Sequence, residues 1–129
     1  PIVREGALVL LGSGPEDNKE LNMLMLAVLL RQAGFFVEYL GPDLPIEDLM
    51  DYSLLVKPKH IALYVTEEAT AYLMRDFAVK LSELPSKPRL LYMGKHLDDY
   101  PEKRESLGGT YLGKTLKEAL ETMRGLVPG

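Results

Sequence analysis

The 129-residue chain contains no cysteine, and its only imidazoles are His60 and His96. Without thiols there can be no disulfide, no thiolate metal site and no cysteine nucleophile, and such a chain fits a cytoplasmic protein. The two histidines leave little choice of imidazole general base. Long apolar runs are also lacking, since no stretch approaches the roughly 18 residues of a membrane span. Positive charge is nowhere concentrated: the net charge is −4 and no basic cluster stands out. Direct binding to nucleic acid or to a membrane is therefore not expected.

What is present is the composition of an ordinary α/β protein, 47% hydrophobic and 26% charged. A chain of this length is expected to form one domain over residues 1–129, burying about two-thirds of its extended-chain surface around a single core. It begins with Pro1 rather than Met, which reads as a piece excised or processed from a longer chain.

Short apolar runs alternate with helical patterns. Residues 6–12, 35–41, 60–66, 88–94 and the weaker 109–113 read as strands. Residues 18–33, 45–56, 67–84 and 114–126 read as helices, and 95–108 holds at most a short one. Gly34 ends the first helix, Pro45 opens the second and Pro58 follows it, as their backbone preferences require. This alternation predicts a three-layer α/β sandwich of flavodoxin-like, Rossmann-like type, with a five-stranded parallel sheet in the order 2-1-3-4-5. Ligands in such sheets bind at the carboxyl ends of the strands. Residues 12–19, 41–45, 64–68 and 93–99 should lie there.

Several chemistries fail on the residues at that edge. Gly12-Ser13-Gly14 lacks the third glycine of a dinucleotide fingerprint, whose place is held by Asp17, and no Gly-Lys-Ser/Thr ending makes it a phosphate loop. A phosphate-accepting receiver would need an Asp where the third strand ends Tyr64-Val65-Thr66. No serine sits in a GxSxG elbow, and His60 starts a strand at the wrong end of the sheet. His96 lies at the right end but reads as a solvated loop histidine. Glu67-Glu68 suits a helix start, and Asp98-Asp99 a polar loop. Asp17 with Lys19 or His96 is the only acid–base pair that can be constructed, so an enzyme is not expected.

Two stretches together do point to a family: the loop running into Glu20-Leu21, and LRQAGFFVEYLGPDLP from 30 to 45. Over essentially its whole length the chain resembles the cobalamin-binding domain, most closely the version carried by light-responsive MerR-type transcriptional regulators. The resemblance implies a loop after the first strand in which an acid, a histidine and a glycine recur at fixed spacing, the histidine binding cobalt. Counted back from Gly41, Asp17 matches the acid, Lys19 stands where the histidine would be and Asn22 where the glycine would be. Freeing the lone pair of a lysine amine at neutral pH costs about 4 kcal/mol, which imidazole does not require.

The family also keeps a small serine near the end of the third strand and paired glycines after the fourth, lining a slot for the nucleotide tail of the cofactor. Tyr64 and Met93-Gly94 stand there, with Thr66 and His96 close by. Overfilling a close-packed slot costs roughly 1 to 3 kcal/mol. The implied family pocket is thus Asp17, Lys19, Asn22, Gly41, Tyr64, Thr66, Met93, Gly94 and His96, with no metal ligand among them. The plain alternative is that Asp17, Lys19 and Asn22 are polar groups around a helix start.

LNMLMLAVLL, residues 21–30, has Asn22 as its sole polar residue, too apolar for a helix with one face in water. Either neighbouring elements cover it or it meets a second copy or another, helical or DNA-binding, domain. By contrast Ala71, Met74, Phe77, Ala78 and Leu81 form one narrow apolar stripe. The resulting expectation is a non-catalytic sensory or regulatory module with no bound cofactor, acting through oligomerisation, partner contact or another small ligand. The alternative is a true corrinoid carrier or photoreceptor that binds cobalamin without the histidine.

Overall fold

The computed structural model describes residues 8–15 and 21–126. Asp17 and Lys19 lie outside the described residues. Five parallel strands form one sheet: β1 (Leu8–Ser13), β2 (Phe36–Gly41), β3 (His60–Tyr64), β4 (Arg89–Met93) and β5 (Thr110–Tyr111), in the order β2-β1-β3-β4-β5. Helices α1 (Leu21–Gln32), α2 (Ile46–Val56), α3 (Glu68–Leu73), α4 (Phe77–Ser82), α5 (Lys95–Asp99), α6 (Arg104–Leu107) and α7 (Leu116–Leu126), with a 3-10 turn at Pro101–Lys103, flank it. The flavodoxin-like architecture and strand order read from the sequence are those observed.

Because successive strand residues point to opposite faces, each central strand feeds two cores. Val9, Leu11, Ala62, Tyr64, Leu91 and Met93 face α1 and α7, meeting Met23, Leu26, Ala119 and Met123. Leu10, Ile61, Leu63, Leu90 and Tyr92 face the other layer, against Leu49 of α2, Phe77 and Leu81 of α4 and Leu97 of α5. Covering both faces explains why the central strands are continuous apolar runs rather than alternating ones.

Local chemistry sets the boundaries. α1 ends at Gly34 (φ +97°), with the Phe35 N–H returning to the Leu30 carbonyl at 2.9 Å, a glycine-stopped helix end. At the head of α7 the Thr115 hydroxyl accepts the Glu118 N–H at 3.1 Å, satisfying one of the free donors of the first turn. On edge strand β2, Glu38 accepts the Tyr52 hydroxyl of α2 at 2.7 and 2.5 Å. That carboxylate raises the Tyr52 phenol pKa above its ordinary value, with burial assisting.

Two sequence expectations need correction, and a third reading, left open between two alternatives, is narrowed. The helix read over 67–84 is broken into α3 and α4. At the break the Arg75 and Phe77 N–H groups bond three residues back, to Tyr72 and Met74, and this tighter turn keeps both Met74 and Phe77 in the core. The third strand ends at Tyr64 rather than Thr66, although the Val65 N–H still reaches the Met93 carbonyl at 2.7 Å. Within the described chain α1 is not shielded all round: Leu21, Leu24, Met25 and Val28 are 42 to 69% exposed. No helix among the described residues is long and apolar enough to cross a membrane.

Candidate functional site

The carboxyl ends of β1, β3 and β4 lie side by side, with Ser13 in register with Tyr64 and Tyr64 with Met93. The glycines leading out of β1 are explained by packing. A Cβ on Gly12 would stand 2.5 Å from Leu44 and 2.7 Å from the Gly41 carbonyl oxygen. One on Gly14 would stand 2.7 Å from the Thr70 methyl and 2.8 Å from the Met74 sulfur. Both glycines let the loop press against the β2–α2 connection and α3, a purpose that needs no phosphate.

Tyr64 is 8% exposed and Met93 3%. Their side chains pack in one cluster with Met23 and Leu26 of α1, Leu112, and Ala119 and Met123 of α7. The Tyr64 hydroxyl emerges from this cluster to accept a hydrogen bond of 2.6 Å from the Asn22 amide on α1. Asn22 and Tyr64 thus meet directly, a pairing that residue spacing could not have suggested across 42 positions.

Gly94 follows β4 at φ +132°, and a Cβ there would overlap the Val65 carbonyl oxygen. Only glycine permits both the backbone angle and the contact. Gly41 also has positive φ, +100°, at the end of β2 and opposite Gly12, while Thr66 is half-buried just beyond β3.

His96 departs from the solvated loop residue expected. It lies within α5, is 7% exposed, and its ring packs 5.2 Å from that of Tyr100. It faces α3, lining a groove of about 380 Å³ with Glu68, Tyr72, Arg75 and Lys103. The residues read as one pocket are therefore divided by the sheet: Asn22, Tyr64 and Met93 on the α1–α7 side, His96 on the α3 side. Residue pattern alone does not announce that groove, because Glu68, Arg75 and Lys103 carry ordinary surface charges.

Asp98 and Asp99 are not a loop pair either. Both belong to α5; Asp99 pairs with Lys95 at 2.6 Å and Asp98 accepts the Tyr111 hydroxyl. Burial first, and then this hydrogen bond, raises the Tyr111 phenol pKa well above its ordinary value. Arg104 lies over the Tyr111 ring at 3.6 Å and donates through Nε to the Leu97 carbonyl at 2.8 Å. These contacts tie α5, α6 and β5 together. At the opposite, amino edge of the sheet His60 is 3% exposed with Nδ1 unpartnered. Burial, assisted by Arg89 and Lys59, lowers its pKa to about 4. Among the described residues no His, Asp and Glu group is arranged to hold a metal ion.

No protein-family model matches the chain, and no curated protein does. Solved structures do match. A cobalamin-binding protein from Desulfitobacterium hafniense superposes with a TM-score of 0.82 at 17% identity, over 95% of this chain and 60% of that one. The monomethylamine corrinoid protein of Methanosarcina barkeri gives 0.81 at 15% identity, over 95% and 59%. A chain of the methanol:cobalamin methyltransferase complex from the same organism gives 0.77 at 20% identity, over 97% and 48%. The fold is thus that of the domains found in cobalamin-binding and corrinoid proteins, and the chain spans three-fifths or less of each.

Proposed function

We propose that residues 1–129 form a non-catalytic regulatory module built on the cobalamin-domain fold, in which the chain's own side chains occupy the place of the cofactor's nucleotide tail. The observation that carries this reading is the burial of Tyr64 and Met93 together at the strand ends, with Tyr64 fastened to α1 through Asn22. A tail entering there would have to displace an aromatic ring and a thioether from a packed cluster and break that hydrogen bond. The residues present therefore do not fit the group, and Lys19 in the histidine's position agrees with them. Cobalamin is the cofactor only under the alternative below.

The regulatory assignment comes from the sequence resemblance to MerR-type light-responsive regulators. It is supported by the exposed apolar residues of α1, Leu21, Leu24, Met25 and Val28, which suit contact with a second copy or with a helical or DNA-binding domain. A second reading, a corrinoid carrier or photoreceptor domain without the histidine, is favoured by the likeness to the three corrinoid-related structures.

One experiment separates the two. Purified protein is mixed in the dark with methyl-, adenosyl- and hydroxocobalamin, desalted, and its visible spectrum recorded. We expect no corrinoid to coelute; coelution overturns the first reading in favour of the second. The triple substitution Lys19→His, Tyr64→Ser, Met93→Gly, once shown to unfold cooperatively, should retain corrinoid. Sedimentation velocity tests the contact surface: self-association should weaken in Leu24→Glu, Val28→Glu, and a protein that is monomeric throughout would leave a second copy out of the account.

A further inference from the structure

We infer that the groove between α3 and the α5/3-10 segment binds a small zwitterion bearing both a carboxylate and an ammonium group, of the free α-amino acid class. Its volume of about 380 Å³ falls within the roughly 300 to 1,000 Å³ usual for small-ligand sites. An adjoining hollow of about 300 Å³ shares Glu68, His96 and Lys103 with it, so these three residues stand at the junction.

His96 is the feature that marks a site rather than a solvated surface. It is more than nine-tenths buried and lines both hollows; its carbonyl accepts the Tyr100 N–H at 3.1 Å and its ring packs on that of Tyr100, but the ring makes no hydrogen bond among the described residues. The two ring nitrogens are hydrogen-bonding groups that a molecule filling the hollows can engage.

The charges around it select the ligand. Glu68 and Glu102 contribute two carboxylates, Arg75 and Lys103 two cations. None of the four is in an ion pair among the described residues, where Lys95–Asp99 is the pair that forms. Arg75 spends one face on the Tyr72 ring, 4.7 Å away, which leaves its N–H edges for a ligand. A simple anion entering the groove would meet two carboxylates, and a simple amine would meet two cations, each an unfavourable like-charge approach. A molecule with both charges and no net charge satisfies all four, with Ala71 and Tyr72 as an apolar wall for its side chain.

The assignment goes beyond the regulatory reading and does not depend on it, because the groove lies across the sheet from Tyr64 and its test uses no corrinoid. His96 and His60 are the only imidazoles in the chain, so proton NMR of the histidine rings reports the site directly. Titration of the full chain with the free L-amino acids should shift the His96 resonances saturably for at least one of them, with Kd at or below about 1 mM. His60, at the far edge of the sheet, should not respond. The corresponding amide and the decarboxylated amine should bind at least about tenfold more weakly, as should the exposed-site variants Glu68→Gln and Lys103→Gln. The proposal is overturned if no amino acid shifts His96 up to about 10 mM, if acetate or inorganic phosphate shifts it as strongly, or if the response survives both substitutions.

Discussion

Asn22 on α1 and Tyr64 at the end of β3 are joined by a 2.6 Å hydrogen bond, with the amide donating to the phenol oxygen. It links the helix to the centre of the sheet at the edge where ligands of this fold class bind. Tyr64→Phe removes the bond and keeps the ring, and should cost about 0.5 to 1.5 kcal/mol. Tyr64→Ser also empties the space among Met23, Met93 and Met123 and should cost about 3 to 5 kcal/mol. Urea unfolding of the two variants measures both; equal costs would mean that the ring does not fill the slot.

Gly94→Ala combines a left-handed backbone angle, φ +132°, with overlap of the new methyl on the Val65 carbonyl. The expected loss is about 2 to 5 kcal/mol, read from thermal or urea unfolding. A Gly41→Ala control has the same sign of φ but open space around it, and should lose only about 1 to 2 kcal/mol.

These two glycines illustrate how much the sequence disclosed. Alternating apolar runs and turn residues were sufficient to read the sheet, its order, the end of α1 and the start of α2, because those depend on local period and on Gly34 and Pro45. The site was less legible. Tyr64 and Met93 could be placed at strand ends, but the partnership of Tyr64 with Asn22 is a tertiary contact between two helical and strand periodicities that do not encode each other. The break at Arg75 was hidden for a related reason: Met74 and Phe77 keep a helical spacing of three, which a continuous helix and a tightened turn satisfy equally well. His96 looked like a loop residue because Asp98 and Asp99 beside it are polar, whereas it lies within a short helix, packs on the Tyr100 ring and is buried.

His60 should make the protein sensitive to mild acid. Its pKa is lowered from 6.5 to about 4 in the folded state, so the unfolded chain takes up the proton first as pH falls. The stability it contributes is fully present above about pH 6.5 and is lost progressively down to about pH 4, amounting to at most about 3 kcal/mol. Urea midpoints measured across this window should fall for the native chain and fall less steeply for His60→Leu. Parallel curves would remove His60 from the account.

Arg104→Lys tests the joint between α5, α6 and β5. Lysine keeps the charge but loses the flat stack on Tyr111 and the Nε bond to Leu97, a change expected to cost about 1 to 2 kcal/mol. Amide hydrogen exchange should rise locally in residues 95–111 before any global loss appears.

The contact between Glu38 and Tyr52 also bears on how the protein behaves in concentrated solution. β2 is the longer of the two outer strands, six residues against two in β5, and so offers the longer row of open backbone groups to another chain. A carboxylate sits in the middle of that row, held against α2 by the Tyr52 hydroxyl. An incoming strand would have to strip water from a charge that is already committed to an internal partner, which discourages edge-to-edge growth of the sheet.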